Sequence, residues 1–534
     1  MHIHPTMTRS RPRRFRSLQR PWLAFLVVVG LVGCNNSPST PAAPGPVTPP
    51  TRFSIHLSTS NVSFAAGATV HLSATVHRDT GFVGPVTLSL NGAPSGLTAT
   101  ITPVSGQPGS NDIALSAKST LDPLIYHLSI DGASGIETES AKFVAAVGDA
   151  TTFDVQGTVV DALREPIAGA QVTIAGTTTA AAADGSFTVS DVTRPYDVVV
   201  TLPGMKEVHD FVGLNRANPV LPLLDQAVTP SDSASVAGTI TNASANSATQ
   251  LAEVAFASPE AHGSSVLWQN DGPGFGPFQV TWSGPSSTQG TLLALKWSVG
   301  PTGLPEQYLG FASAPLSLSD QQSATGANLQ FQAVATSYLS GTIMPPSGYA
   351  ISAKDLWMTA GPKSGMLLGI VADSDATFTF ATPRAGLPLG VEAKATSGNA
   401  STILYRANLQ PNQVVDMTLP APPALGAPGT ATFDHVTVFG WTAVPGTISV
   451  LWLTSTAGPN VYVYTAASNA TLPAGSVLTL PASTHYLWTV VGWGMYTDMD
   501  GFTDPAGGPG SFGLLQDALV ATAEPLGVFT SSTP

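Results

Sequence analysis

Val155-Gln156-Gly157-Thr158-Val159 is followed by Pro166-Ile167-Ala168-Gly169-Ala170-Gln171-Val172-Thr173-Ile174, then by Asp184-Gly185-Ser186-Phe187-Thr188-Val189 and Tyr196-Asp197-Val198-Val199-Val200. Each segment is short, rich in β-branched residues and bounded by Gly, Pro or Asp, which reads as a series of strands rather than helices. Gly157 permits close approach of a neighbouring strand. Pro166 with Gly169 turns the chain into the next strand, and Phe187 is placed to plug a core. Asp184-Gly185 reads as a two-residue hairpin turn, because both residue types tolerate positive φ.

The first of these segments has echoes. Gln156-Gly157-Thr158-Val159 recurs as Ala237-Gly238-Thr239-Ile240 and again as Ser340-Gly341-Thr342-Ile343. In the third copy Ala376-Thr377-Phe378-Thr379-Phe380 takes the place of the segment that follows Asp184. The middle copy has no Asp-Gly turn and carries a glycine-rich insert from Asp271 to Phe278. Three related sandwiches are expected, at 153–225, 233–334 and 337–420.

Working outward, strand and turn patterns continue in both directions at a spacing of about 8–12 residues, with no sustained helical period. Upstream, residues 52–148 alternate apolar and polar: Phe53, Ile55 and Leu57; Val70, Leu72, Ala74 and Val76; Leu97, Ala99 and Ile101. About seven such strands in one unit predict an immunoglobulin-like sandwich. Tyr126 reads there as a packed strand residue. Downstream, residues 429–534 contain Val438-Phe439-Gly440-Trp441, Val444-Pro445-Gly446, Val461-Tyr462-Val463-Tyr464 and His485-Tyr486-Leu487-Trp488-Thr489-Val490. The fold class expected for the chain is therefore all-β, with tandem β-sandwich domains in series.

Some of these patterns resemble known families. The segments of 153–225 resemble the carboxypeptidase regulatory-like domain, a small prealbumin-like sandwich; in peptidases that module is an accessory and not the catalytic unit. Gly81-Phe82-Val83-Gly84-Pro85-Val86 and Ala93-Pro94-Ser95-Gly96-Leu97 resemble bacterial Ig-like repeats. Residues 429–534 resemble a fibronectin type III domain. That resemblance implies a core role for Trp441 and a tyrosine corner at Tyr486, while the loop from Met495 to Leu515 is longer than the family pattern.

The amino-terminal end carries a different kind of information. Arg9, Arg11, Arg13, Arg14, Arg16 and Arg20 precede an apolar run from Trp22 to Val32, too short for a spanning helix of roughly 20 residues. Leu31-Val32-Gly33-Cys34 closes it, and Cys34 is the only cysteine in 534 residues. This pattern resembles a bacterial lipoprotein export signal over residues 1–33. The resemblance implies a mature chain beginning at Cys34, with acyl chains on its sulfur as the partner contact to the membrane. Asn35 and Asn36 imply outer-membrane sorting. Residues 34–51, rich in Pro, Ser and Ala, read as a lipidated stalk.

Without residues 1–33 the chain has 14 basic and 33 acidic residues, a net charge of −19. Such a balance excludes nucleic acid as a partner, because phosphate neutralisation needs basic clusters. Charged residues are only 10% of the whole, with 52 Gly and 45 Pro, a composition suited to turn-rich extracytoplasmic sheets.

No nucleophile elbow, phosphate-binding glycine loop or zinc-binding spacing occurs, so no catalytic residue, cofactor or metal ligand is assigned and the chain is expected not to be an enzyme. Asp498, Asp500 and Asp504 flank Gly501 with oxygen-ligand spacing, but read better as a solvated acidic turn than as a calcium loop; Asp373 and Asp375 read the same way. Among the tryptophans of the last domain, most are expected in the core. Trp493 and Tyr496, just past a strand, are the aromatics expected to face a ligand. The functional expectation is a non-enzymatic, membrane-anchored lipoprotein serving adhesion, envelope scaffolding or ligand binding, its partners glycans or another envelope protein. A carbohydrate-binding surface lipoprotein is the alternative, and an unrecognised hydrolase a more distant one.

Overall fold

In a computed structural model the described residues run from 53 to 531, with short interruptions of which 242–248 is the longest. The export pattern, Cys34 and the stalk lie outside them, as do Gly81, Phe82 and Val83. Among the described residues the chain is built of β-strands and one short helix, Met499–Phe502. No helix there is long and apolar enough to cross a membrane.

The first module is two four-stranded sheets facing each other. Alternate residues on its strands, among them Leu72, Ala74, Ile113, Leu115, Leu128, Ile130 and Phe143, are buried in a core that no other module enters. The period of two noted in the sequence is the reason: one face of each strand meets the opposite sheet.

The next three modules share one topology. In each, a first strand (Thr152–Asp161, Asp232–Thr241, Thr336–Met344) lies between an antiparallel neighbour and a parallel one, making a three-stranded sheet. A four-stranded antiparallel sheet covers it, its two middle strands separated in sequence by a strand of the three-stranded sheet. The repeated glycine explains itself in this setting. Phe187, Phe275 and Phe378 sit opposite Gly157, Gly238 and Gly341 in the antiparallel register. A Cβ on these glycines would stand 2.3 Å from the Phe187 ring, 2.8 Å from that of Phe275 and 2.8 Å from that of Phe378. On the parallel side it would meet the carbonyls of Pro219, Ala327 and Val415 at 2.8, 1.6 and 1.8 Å. Each glycine therefore admits an aromatic plug and a close-running strand at once, which a side chain would forbid. In the middle copy the plug is Phe275, inside the glycine-rich insert.

One local expectation is corrected. Asp184-Gly185 does not close a hairpin, because the strands before and after it, Thr177–Ala180 and Ser186–Thr193, belong to opposite sheets. The turn bonds Gly185 N–H to the Ala182 carbonyl, and Asp184 Oδ1 accepts from Ser186 N–H. Gly185 takes φ +74° just after the turn, where a Cβ would stand 2.5 Å from the Val159 carbonyl oxygen.

The last module packs a three-stranded sheet (Leu425–Ala427, Phe439–Trp441, Asn469–Ala470) on the strands Thr447–Thr454, Asn460–Thr465 and His485–Gly494. Trp441 and Trp488 lie in its core, and Trp441 Nε1 donates to Ser449 Oγ at 2.9 Å. Tyr486 is buried, its ring T-stacked on Phe433.

The module does not end at its own edges. Asn460–Thr465 pairs in parallel with Glu207–Leu214 of the second module, with Glu207 opposite Asn460 and Phe211 opposite Tyr464. On the other side Ala518–Thr522 pairs antiparallel with Ala400–Leu409 of the fourth module, Ser401 opposite Thr522 and Tyr405 opposite Ala518. The result is one 14-stranded sheet running through three modules. Strand Thr447–Thr454 lies in the middle of it, with Leu451 and Leu453 in the core of the last module and Ile448 and Val450 in the core shared with the second. Its stretch Val450-Leu451-Trp452-Leu453 is continuously apolar for that reason: both faces of the strand are covered.

Candidate functional site

The junction between the second and last modules gathers the buried ionisable groups most densely. On Glu207–Leu214 the residues Glu207, His209 and Phe211 share one face by strand alternation. Tyr462 and Tyr464 occupy the facing positions of the neighbouring strand. His209 stacks on Tyr462 with ring centroids 4.7 Å apart, and Phe211 on Tyr464 at 4.3 Å. Two stacked cross-strand pairs thus lie side by side over the seam.

His209 is fully buried. Its Nδ1 lies 3.3 Å from the Tyr464 hydroxyl, and its Nε2 points at Asp225 Oδ1, 3.6 Å away. Asp225 follows the strand Val220–Leu223, whose end brings it back beside Glu207. Gln226 Nε2 donates to Glu207 Oε2 at 2.5 Å and to Asp225 Oδ2 at 3.2 Å, tying the two carboxylates together. Ligating atoms of Glu207, His209 and Asp225 all lie within 4.8 Å of one another. Burial lowers the His209 pKa to about 4, against the opposing pull of Asp225, so the imidazole is neutral near pH 7. Glu207 is raised by burial and by Asp225.

Sequence spacing did not single out this cluster, because Asp225 reaches it only through the fold. The available signal was Glu207-Val208-His209, two ligand-type side chains at the spacing that places both on one face of a strand.

A second group lies nearby, on the long loop of the last module. Asp500 is buried and its Oδ1 accepts from the backbone N–H groups of Asn215 (2.8 Å) and Arg216 (3.1 Å). Arg216, also buried, donates to the Asp500 carbonyl at 2.5 Å and pairs with Asp504 at 3.5 Å. Arg164 Nη2 donates to the Pro505 carbonyl at 2.8 Å. Asp498 caps the short helix by accepting from Gly501 N–H at 2.7 Å. The expected solvated acidic turn is therefore a latch. Asp500 and Asp504 are spent on the second module and Asp498 on the loop's own helix, and that use accounts for the loop's extra length.

Tyr496 and Trp493 are placed differently from the sequence expectation. Tyr496 is interior, 8% exposed, with its ring edge-on to Phe502 at 5.4 Å. Trp493 is half-buried against the same core. Both pack beneath the latch, because the loop that follows them folds back over the sheet. Asp373 also has a task, as partner of the buried Lys354; that pair borders a cavity of about 380 Å³ lined by Leu304, Phe378 and Phe380 at the junction of the third and fourth modules. Cys34 lies outside the described residues. Among those residues no nucleophile, base and orienting group come together as a catalytic constellation.

Comparison with known proteins agrees with the sandwich reading. A family model of the carboxypeptidase regulatory-like domain matches residues 132–220. The second module thus carries that domain's sequence pattern. No curated protein matches the chain. Among solved structures, domains 5–6 of the S-layer protein SbsC align with 11% identity over 51% of this chain and 97% of that one, at a TM-score of 0.14. Domains 4–9 of the same protein align with 10% identity over 90% and 83%, at 0.14. Trypsin-activated alpha-2-macroglobulin from Escherichia coli aligns with 9% identity over 90% of this chain and 49% of its own, at 0.16. TM-scores this low give no ground for transferring an arrangement or a role.

Proposed function

We propose that this chain is a non-enzymatic, lipid-anchored protein of the bacterial cell envelope, serving adhesion or scaffolding through a rigid array of β-sandwiches. The observation that carries this reading is the 14-stranded sheet, in which the last module closes exposed edges of the second and fourth. Open strand edges invite pairing with other chains, and closing these two within the molecule fixes three modules in one sheet. Fixed shape serves presentation of a binding surface at a distance from a membrane. The anchor rests on Leu31, Val32, Gly33 and Cys34 together with the arginine-rich leader and the stalk of residues 34–51. Outer-membrane placement rests on Asn35 and Asn36.

The fibronectin type III-like reading of the last module is supported by its three-stranded sheet and by the buried Trp441; Tyr486 is buried, but its hydroxyl has no hydrogen-bond partner among the described residues and so does not make the expected tyrosine corner. Glycans or a second envelope protein are the partner classes in view. Of the two aromatics expected to face a glycan, Tyr496 is interior and Trp493 is half-buried. The test is labelling: radiolabelled fatty acid enters the full chain and the protein sediments with membranes, whereas Cys34→Ala takes up no label and is released. Sedimentation of the Cys34→Ala protein with membranes overturns the anchor. Protease shaving of whole cells then reports which face carries the array.

A further inference from the structure

We propose that Glu207, His209 and Asp225 form a binding site for a divalent transition-metal ion of the zinc class, on the second module beside its seam with the last. The donor set is one imidazole and two carboxylates, borderline-soft nitrogen with hard oxygen, which suits zinc and its neighbours better than calcium or magnesium. Geometry comes first. The three ligating atoms lie within 4.8 Å of one another. Tetrahedral bonds of about 2.0–2.1 Å put ligands about 3.3 Å apart, and His209 Nε2 to Asp225 Oδ1 is already 3.6 Å. Turning the half-buried Glu207 and Asp225 carboxylates closes the remaining gap.

A second, independent observation points the same way. His209 Nε2 and Asp225 Oδ1 are buried polar atoms with no hydrogen-bond partner among the described residues, although they face each other. Buried polar atoms are nearly always satisfied, and two that face each other at 3.6 Å without bonding suit a shared ligand ion. The surroundings match as well. With Nδ1–H donating to the Tyr464 hydroxyl, the Nε2 lone pair is left directed at the carboxylates. Outer contacts of this kind fix tautomer and ring direction in metal sites. Stacking on Tyr462 holds the imidazole plane. Because Tyr462 and Tyr464 come from the last module, ion binding and docking of that module support each other. The site does not depend on the proposed envelope role.

The test uses the full chain, stripped with a chelator and titrated with zinc chloride by calorimetry, with thermal unfolding followed in parallel. One zinc per chain and a rise in Tm are expected. His209→Gln and Asp225→Asn should each weaken binding at least 100-fold, with an unchanged Tm in chelator showing that they fold. Tyr464→Phe leaves every ligand in place and should weaken binding about 10-fold. Equal zinc uptake by wild type and Asp225→Asn, or no uptake by a wild-type chain that unfolds cooperatively, overturns the site.

Discussion

The two seams of the last module are made with the same backbone chemistry and opposite side-chain chemistry. At the seam with the second module the paired strands bury His209 and the Tyr464 hydroxyl, and the loop beside them buries Asp500 against Arg216. At the seam with the fourth module the interior is uncharged and mostly apolar: Leu404, Leu519, Ala521 and Val444 join the core of Leu389, Val391 and Ala393, with Thr402 and Tyr405 buried on the same strand pair. Charged groups stay at its rim there, with Arg406 to Asp517 at 2.6 Å and Asn399 N–H to Glu524 at 2.6 Å. An apolar seam gains stability from area alone and tolerates little. A polar seam gains less but can be adjusted by an ion or by charge. We read the fourth-module seam as the permanent weld and the second-module seam as the responsive one.

This contrast is most easily broken by a charge placed in the weld. Ala521→Asp buries an unpaired carboxylate at a fully buried position, and should cost about 3–5 kcal/mol. Limited proteolysis should then cut between the fourth and last modules while the second-module seam survives. At the responsive seam, Asp500→Ala leaves the Asn215 and Arg216 N–H groups without their acceptor. A loss of about 2–3 kcal/mol in chemical denaturation is expected, less than at the weld because Arg216 keeps Asp504.

Glu392, one strand in from the weld, sharpens the contrast through pH. Burial, reinforced by Asp355, raises its carboxyl to about 7. Between about pH 4.5 and 7 the unfolded chain ionises this group and the folded chain does not, so stability falls as pH rises through that window and levels off above it. Glu392→Gln removes the fall. Its unfolding free energy relative to wild type should improve by about 1–2 kcal/mol between pH 4 and pH 8, allowing for the partial exposure of the group. The smallest effect belongs to His209→Phe. It removes the unpartnered Nε2 but also the Nδ1 contact to the Tyr464 hydroxyl, retains the stack on Tyr462, and in chelator should change stability by less than about 1 kcal/mol.

Much of this was legible in the sequence, and the part that was not has a physical cause. Alternation exposed the sandwiches, because one buried face per strand writes itself into every second residue. The repeated glycines at 157, 238 and 341 were legible because a close-packed aromatic leaves no substitute for a missing Cβ. Phe275 hid in a glycine-rich insert that looked like a loop. The seams were not legible. Edge-to-edge pairing is made by backbone N–H and C=O groups that every residue carries, so Glu207–Leu214 and Asn460–Thr465 show no sign of each other across some 250 residues. The acidic loop looked solvated because charge without its fold partner always does. Only the length of residues 495–515 hinted that it had somewhere to go.

The central claim is that the last module joins the second and fourth into one sheet, and amide hydrogen exchange on the full chain tests it directly. Thr177–Ala180 and Ser364–Val371 are true outer edges of that sheet and supply the internal standard. The account predicts that the amides of residues 208–211 and 401–405 exchange far more slowly than those two edges, at rates close to the interior strand Leu389–Ser397. Exchange at both seams as fast as at the outer edges would contradict it.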